Sequence, residues 1–314
     1  MLVRLKESCR SALWFVRRML WRRRVSLYGR MGLYPRMRRR QHGSVRILTY
    51  HGVAPEKCMG RPWIPHYFIS DGLLDRHLTW LKQAGDLVSI QQAMEILLER
   101  SAPRDLVYVV TFDDGFYNNL SIVAPLLASH GVSATVFIAT GLCDPGGQTP
   151  LWIQSRFMRH LQDQGRLTLT GEQSRAVAAA RSGGRTPPYD ILPVMDQLWR
   201  DNARHIDPAA IEATRMATSD ELRRMVEAGM TLGAHTVNHV HLAGITGERR
   251  RAEIRESVES IRAMTERHWV AFAYPNGKPS DFGDEDVATL KAMDVACALT
   301  TTPGVNTPGA RLDR

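Results

Sequence analysis

Two adjacent carboxylates follow an apolar run of the sequence. Residues Leu106–Phe112 are mostly β-branched or aromatic, which predicts a buried strand, and this strand ends in Asp113-Asp114-Gly115. Two carboxylates at the end of a buried strand are costly unless something neutralises one of them. A metal ion would neutralise one and leave the other free to accept a proton. The pair is therefore a candidate catalytic centre.

Two histidines follow another predicted strand. His235 and His239 come after Thr231–Ala234, and their spacing can place both imidazoles on one side of a helical turn. With one aspartate they would make three metal ligands and leave a position for water, which is typical of a catalytic metal site. Alone, an Asp-Asp-Gly turn or an HxxxH pair is more often solvated, but their joint occurrence after predicted strands favours function.

A third cluster, Phe272–Gly277, is a predicted strand that ends in a turn. The turn offers backbone N–H groups to a ligand, although Pro275 has none. Parallel α/β proteins place their sites after strand ends, so the three clusters are expected to share one edge of a sheet.

Strands and helices alternate along residues 44–314, which we interpret as one domain. About seven strands are predicted, and regular alternation favours a parallel sheet. The pattern alone leaves a barrel and an open doubly wound sheet as alternatives. Residues 141–217 break the alternation with helical patches and a Gly/Pro-rich turn, and we interpret them as an insertion.

The motifs TFDDGF, GAHTVNH and FAYPNG, in this order, resemble those of the polysaccharide deacetylase family, the NodB-homology carbohydrate esterases of family 4. The opening ILTYHGV is similar too, and the resemblance covers roughly residues 45–303. It implies a distorted (β/α)7 barrel of the NodB-homology type. It also implies a metal-dependent hydrolase that removes N-acetyl groups from an amino-sugar-containing glycan or glycan intermediate.

The resemblance assigns roles to the clustered residues. Asp114, His235 and His239 would bind a divalent metal ion, most often zinc and sometimes cobalt or another ion. Asp113 would be the general base that draws a proton from the metal-bound water.

The same resemblance assigns the third cluster to the substrate. The hydroxide would attack the acetamide carbonyl of an N-acetylated saccharide, and the metal with the backbone N–H of Asn276 would stabilise the oxyanion. The preceding Tyr274 and Pro275 are further candidates for oxyanion or substrate contacts.

Two departures from the family pattern concern acid–base chemistry. Many members carry an arginine where Ala273 stands, so the pKa of Asp113 is expected to be higher than in those enzymes. The late general-acid histidine of the family has no counterpart after His268. His51, after the first predicted strand, is our substitute for it, with a capping role as the equal alternative, and His241 is a weaker candidate.

Aromatic residues near the motifs have two interpretations. Tyr50 and Tyr274 could stack on a sugar ring, but a core position is favoured for both. Trp152 could anchor the insertion over the site.

The charge lies mostly at the N-terminus. Residues 1–43 hold 13 Lys and Arg and one acid, a net charge of +12, whereas the other 28 basic and 31 acidic residues sum to −3. Arg, Trp and Leu in residues 8–28 are typical of an amphipathic helix on an anionic membrane surface. A flexible or packed extension and a nucleic-acid arm are alternatives, and no nucleic-acid partner is expected because the body is not basic.

Neither an export signal nor an apolar stretch of transmembrane length is read in the sequence. The four cysteines form no metal or disulfide pattern. We therefore expect a cytoplasmic protein, which would be peripheral at the inner membrane face if its basic extension binds the membrane. Two alternative functions remain open: hydrolysis of a different acyl amide, such as deformylation, and a catalytically weak sugar-binding or scaffold protein on the same fold.

Overall fold

The computed structural model describes residues 43–99, 105–143, 147–180 and 191–308. Apart from Gly43, the basic extension predicted for residues 1–43 lies outside the described residues. The membrane contact expected of it lies outside them as well.

Nine strands and ten α-helices lie along the described ranges. They alternate as predicted except for three successive strands at the start and five successive helices in the middle. In chain order they are β1 Val45–Tyr50, β2 Val53–Ala54, β3 Ile69–Ser70, α1 Asp71–Ala84, β4 Asp86–Leu87, α2 Ile90–Leu98, β5 Val107–Phe112, α3 Ala124–His130, β6 Thr135–Ile138, α4 Leu151–Asp163, α5 Gly171–Ala180, α6 Ile191–Asn202, α7 Pro208–Glu212, α8 Ser219–Glu227, β7 Thr231–Ala234, α9 Gly247–Thr265, β8 Ala271–Ala273, α10 Asp284–Ala292 and β9 Cys297–Leu299.

Seven strands form one parallel sheet in the order β1-β5-β6-β7-β8-β9, with β4 beside the start of β5. The two short strands β2 and β3 pair separately. The sheet curls with its helices outside it, which confirms the expected distorted (β/α) barrel and resolves the choice against an open doubly wound sheet.

The C-terminal strap, residues 300–306, spans the seam between β9 and β1. Asn306 and Val45 form an antiparallel bridge, with backbone N–O distances of 2.8 and 3.0 Å. The chain thus closes the barrel with an antiparallel segment in place of a further parallel strand.

The side chains of β5 alternate between two hydrophobic clusters, as the period of a strand requires. Tyr108, Val110 and Phe112 join the larger cluster. Val107 and Val109 join a smaller one. All six residues of β5 are buried, which explains its almost continuous apolar sequence.

Strand register brings the motif-bearing strand ends together. Tyr50 of β1 is opposite Phe112 of β5, and Ala234 of β7 lies between Ile138 of β6 and Phe272 of β8. Because these strands are parallel and end at similar heights, the residues that follow them share one edge of the barrel.

Four helices, α4 to α7, occupy the range predicted as an insertion. Three of them, α4, α5 and α6, pack around a hydrophobic cluster of their own, which includes Phe157, Met158 and Met195. The chain returns to the barrel at Met216, which bridges Phe116 after β5. The insertion is therefore a helical unit built beside the motif-bearing edge.

Among the described residues, no helix combines the length and the apolar character needed to cross a bilayer.

Candidate metal centre and active site

The two aspartates after β5 are both buried, but their backbones differ. Asp113 continues the strand, and its N–H donates to Tyr50 O at 2.9 Å. Asp114 takes a left-handed conformation (φ 79°), as does Gly115 (φ 92°). A Cβ on Gly115 would lie 3.1 Å from the side chain of Ile138, so this turn requires glycine.

The two histidines lie on an irregular loop and not on a helical turn, so that part of the prediction was wrong. Thr236 (φ 63°) and His239 (φ 53°) both have left-handed backbones, which a right-handed helix cannot contain. The loop still brings the His235 and His239 rings to a centroid distance of 5.0 Å.

Glu253 of α9 holds this loop in place. One of its carboxylate oxygens accepts the N–H groups of Val237 (3.0 Å) and Asn238 (2.9 Å). The other accepts the Asn238 side-chain amide at 2.8 Å. The Glu253 carboxylate is 4% exposed. A buried acid with three donors compensates for the unusual backbone of the histidine loop.

Asp114, His235 and His239 form a compact donor cluster. One donor atom from each residue can be chosen so that all three lie within 4.8 Å of one another. Asp114 Oδ1 lies 3.2 Å from His239 Nε2 and 3.8 Å from His235 Nε2. Asp114 Oδ1 and His239 Nδ1 are buried without a hydrogen-bond partner among the described residues.

The chemistry of this cluster fits a divalent metal ion. The backbone oxygen of Ala273 accepts a hydrogen bond from His235 Nδ1 at 2.7 Å, which leaves the Nε2 lone pair directed towards Asp114. Burial, and then the neighbouring His239, lower the pKa of His235 to about 3. Burial also lowers the pKa of His239. Two neutral imidazoles and one carboxylate are an ordinary zinc ligand set.

Asp113 lies beside the cluster but has a different environment. Burial, opposed by the charge of His51 and reinforced by that of Asp114, raises the pKa of Asp113 to about 7. The sequence predicted a higher pKa for Asp113 than in relatives with an arginine in place of Ala273. In the structure, the main cause of the raised pKa is burial. His51 is held through its backbone oxygen, which accepts the Asn119 side-chain amide at 3.0 Å.

The third cluster contributes one residue to the site. Asn276 has a left-handed backbone (φ 58°), and its carbonyl accepts the Thr301 hydroxyl at 2.5 Å. Its side-chain amide donates to His241 Nε2 at 2.5 Å, and His241 Nδ1 lies 3.4 Å from Asp281 Oδ1. His241, predicted as a weak candidate, thus contacts Asn276.

The other two candidates of this cluster lie away from the site. Tyr274 is buried and stacks on Phe282 with ring centroids 3.9 Å apart. Pro275 is buried as well. Neither lines the site cavity, and the core position favoured for Tyr274 is where the structure places it. Tyr50 likewise packs on Phe112 at 5.5 Å.

A cavity of about 550 Å³, which we call the site cavity, unites the remaining predicted residues. Those that line it are His51, Asp113, Asp114, His235, His239 and Asn276. Trp152 lines it too, with its ring 5.4 Å from that of His239, so the insertion reaches the site as expected.

Four further residues of the site cavity were not found from the sequence: His66, Tyr67, Arg156 and Thr301. Tyr67 accepts a hydrogen bond from Trp152 Nε1 at 3.0 Å and joins the loop before β3 to the insertion. Burial, and then the Asp114 charge, raise the pKa of its hydroxyl. These residues come from loops and an insertion without motif spacing, so only the fold reveals them.

Comparisons with known proteins agree with these features. A family model described as "Polysaccharide deacetylase" matches residues 190–295, a range that contains the two histidines and the third cluster but not the two aspartates. A Bacillus subtilis protein named "Putative polysaccharide deacetylase YxkH" is 18% identical over 259 residues, which are 82% of this chain. The chain spans 64% of the length of that curated relative.

Solved structures share the fold. The Streptococcus pyogenes deacetylase PplD, in complex with acetate, has a TM-score of 0.57 at 18% identity, over 86% of this chain and 88% of that one. IcaB from Ammonifex degensii has a TM-score of 0.56 at 18% identity, over 85% and 88%. The family model, the shared fold and the three ordered motifs all make this chain similar to polysaccharide deacetylases.

Proposed function

We propose that this chain is a metal-dependent hydrolase that removes N-acetyl groups from an amino-sugar-containing glycan. The observation that carries the proposal is a second buried carboxylate, Asp113, beside a three-donor metal cluster in one cavity. A structural metal site would need no such neighbour. The match of residues 190–295 to the family model and the shared fold support the same conclusion.

Asp114, His235 and His239 would hold the ion, for which we propose zinc, with cobalt or another divalent ion as alternatives. When bound, such an ion supplies Lewis acidity, which makes water a better nucleophile at neutral pH and polarises a carbonyl.

The residues of the chain would divide the proton transfers. Asp113, with a pKa of about 7, accepts the proton of the attacking water as the new C–O bond forms. The Asn276 backbone N–H donates to the carbonyl oxygen as it gains negative charge. His51, which lines the same cavity as Asp113, gives a proton to the leaving nitrogen as the C–N bond breaks. The products are acetate and a free amine.

Acetate release tests the proposal. Zinc-loaded protein is offered N-acetylglucosamine oligomers and a lipid-linked N-acetyl sugar, with a chelator control and with Asp113→Asn. Asp220→Asn, which alters a carboxylate that is 90% exposed on α8, serves as the matched control. We expect release that is lost with chelator and falls at least 100-fold in Asp113→Asn, with Asp220→Asn unchanged.

Two results would contradict the proposal. Release that persists in Asp113→Asn would remove the assigned base. Formate release from N-formyl substrates without acetate release from N-acetyl ones would favour a deformylase on the same site.

A further inference from the structure

A second cavity, of about 300 Å³, lies next to the site cavity. The two cavities share Trp152 and Arg156, which form the wall between them. A ligand that places its acetamide at the metal cluster can therefore extend past these two side chains into the second cavity. We call this second cavity the outer cavity.

The outer cavity is built mainly on one face of α4. Trp152, Arg156, Arg159, His160 and Asp163 all line it, and their spacings of three and four residues place them along one side of a helix. The opposite face of α4 is anchored in the hydrophobic cluster of the insertion. The lining side chains therefore project from a fixed helix and not from a loop.

Positive charge predominates around the outer cavity. Arg156 and Arg159 are permanently charged, and His160 can gain a charge, against the single acid Asp163. This contrasts with the net negative charge of the chain after residue 43. A basic lining is thus a local feature of this cleft.

Neighbouring aromatic rings pack against α4 and against the His160 ring. Trp63 stacks on Phe157 of α4, with ring centroids 5.8 Å apart, and meets the His160 ring edge-on at 5.0 Å. The Trp152–Tyr67 hydrogen bond ties the same helix to the loop before β3. The charge of Arg156 also reaches into the site cavity, where it lowers the pKa of the Tyr67 hydroxyl against the larger effect of burial.

We propose that the outer cavity binds an anionic group, a phosphate ester or a carboxylate, that the substrate carries next to its N-acetylated sugar. This inference rests on the proposed function and narrows its substrate class from any N-acetyl glycan to an acidic one. Guanidinium groups recognise phosphate and carboxylate through paired hydrogen bonds. A neutral sugar oligomer would gain little from two arginines on one helix face.

Equilibrium binding tests this inference independently of catalysis. Isothermal titration calorimetry on the zinc-loaded Asp113→Asn protein compares N-acetylglucosamine 1-phosphate and N-acetylmuramic acid with neutral N-acetylglucosamine. We expect at least one acidic probe to bind 10-fold or more tightly than the neutral one, and the advantage to shrink as salt is raised. Comparing the two acidic probes shows whether the outer cavity prefers a phosphate or a carboxylate.

Arginine variants test whether the preference for an acidic probe arises in the outer cavity. Arg156→Gln and Arg159→Gln, made separately in the same protein, are expected to weaken binding of the preferred acidic probe 5- to 20-fold. Arg159 lines the outer cavity only, so Arg159→Gln should leave binding of the neutral probe unchanged. Arg223→Gln, which removes an exposed arginine of α8, is the matched control. Equal affinity for acidic and neutral probes, no binding of either acidic probe, or an advantage that survives in both variants would overturn the inference.

Failure of the two proposals can be told apart. Charge-selective binding without acetate release from the wild-type protein would contradict the deacetylase alone. Acetate release from neutral oligomers without charge-selective binding would contradict the acidic substrate alone. The comparison of acidic with neutral probes needs no arginine variant, so it holds even where an arginine substitution impairs folding.

Discussion

At the scale of single residues, Asp113 and Asp114 show how neighbours on the chain acquire different chemistry. Asp114 faces two imidazoles and has an unpartnered oxygen among the described residues, as a metal ligand requires. Asp113 is buried with His51 beside it, and burial raises its pKa to about 7. The backbone of Asp114 is left-handed and that of Asp113 is not, so the two neighbouring side chains enter different environments.

The raised pKa of Asp113 predicts a pH dependence of stability in metal-free protein. Its folded pKa exceeds the unfolded value near 4, so between these values the folded state binds the proton and the unfolded state does not. Stability therefore falls as pH rises from about 4 to 7. Above pH 7, Asp113 costs up to about 4 kcal/mol.

Urea unfolding of metal-free wild type and Asp113→Asn measures this effect. We expect the variant to be more stable at pH 8 and the difference to vanish near pH 4. A constant difference between pH 4 and pH 8 would mean that Asp113 keeps an ordinary pKa.

A second residue-scale prediction concerns His241, which accepts the Asn276 side-chain amide. His241→Ala removes this contact, so Asn276 should be less well positioned and the rate of acetate release should fall about 10-fold, the worth of one hydrogen bond. Zinc content should not change, because His241 lies outside the donor cluster. An unaltered rate would show that Thr301 alone fixes Asn276; parallel loss of zinc would show that His241 supports the metal centre instead.

At the scale of elements, strand ends bring the site residues together, and one helix holds the loop that carries the two histidines. β5 and β7 deliver the donors to one edge, and α9 supplies Glu253, which fixes the histidine loop that follows β7. Left-handed backbones at Asp114, Thr236, His239 and Asn276 concentrate strain at this edge. Such strain persists only where surrounding contacts determine the conformation.

Glu253 therefore gives an element-scale prediction. Glu253→Ala should weaken zinc affinity about 10- to 100-fold, because the loop that carries His235 and His239 loses its three hydrogen bonds. Glu253→Gln keeps an acceptor and should lose less. Glu256→Ala, on the exposed face of the same helix, is the control.

Competition with a chromophoric chelator measures these affinities. If Glu253→Ala binds zinc as tightly as Glu256→Ala does, the loop does not depend on α9.

The sequence allowed the elements and the donor residues to be predicted, because both follow from local patterns. The apolar run of β5 and the residues after it have a period and composition that require no knowledge of the fold. The loop conformation at His235–His239 was predicted wrongly because the spacing of two histidines is equally compatible with a helix, and the residue that decides, Glu253, is 14 positions away. Arg156 and Tyr67 could not be found, since their role arises only when the insertion packs beside the barrel.

At the scale of the whole molecule, the barrel depends on its C-terminal strap. Val45 is fully buried, and its backbone pairs with Asn306 on both N–H and C=O. Without the strap, β1 and β9 would face each other across an open seam that holds a cavity of about 720 Å³.

Asn306→Pro tests this closure. Proline removes the N–H that donates to Val45 O, and we expect the free energy of unfolding to fall by about 1–3 kcal/mol. Asn306→Ala keeps both backbone bonds and loses only a side-chain contact of 3.3 Å, so it should be close to wild type. Denaturant titration compares the two, and equal stabilities would show that the strap contributes nothing to the seam.

The strap also dictates an order of events in folding. Val45 and Asn306 are 261 positions apart, so their pairing closes a loop that contains almost the entire barrel. The entropic cost of closing such a long loop is offset only after the intervening strands have assembled. On the ribosome, β1 is made first and its strap partner last. Barrel closure is therefore a late step of folding, and one edge of β1 stays unpaired until it occurs.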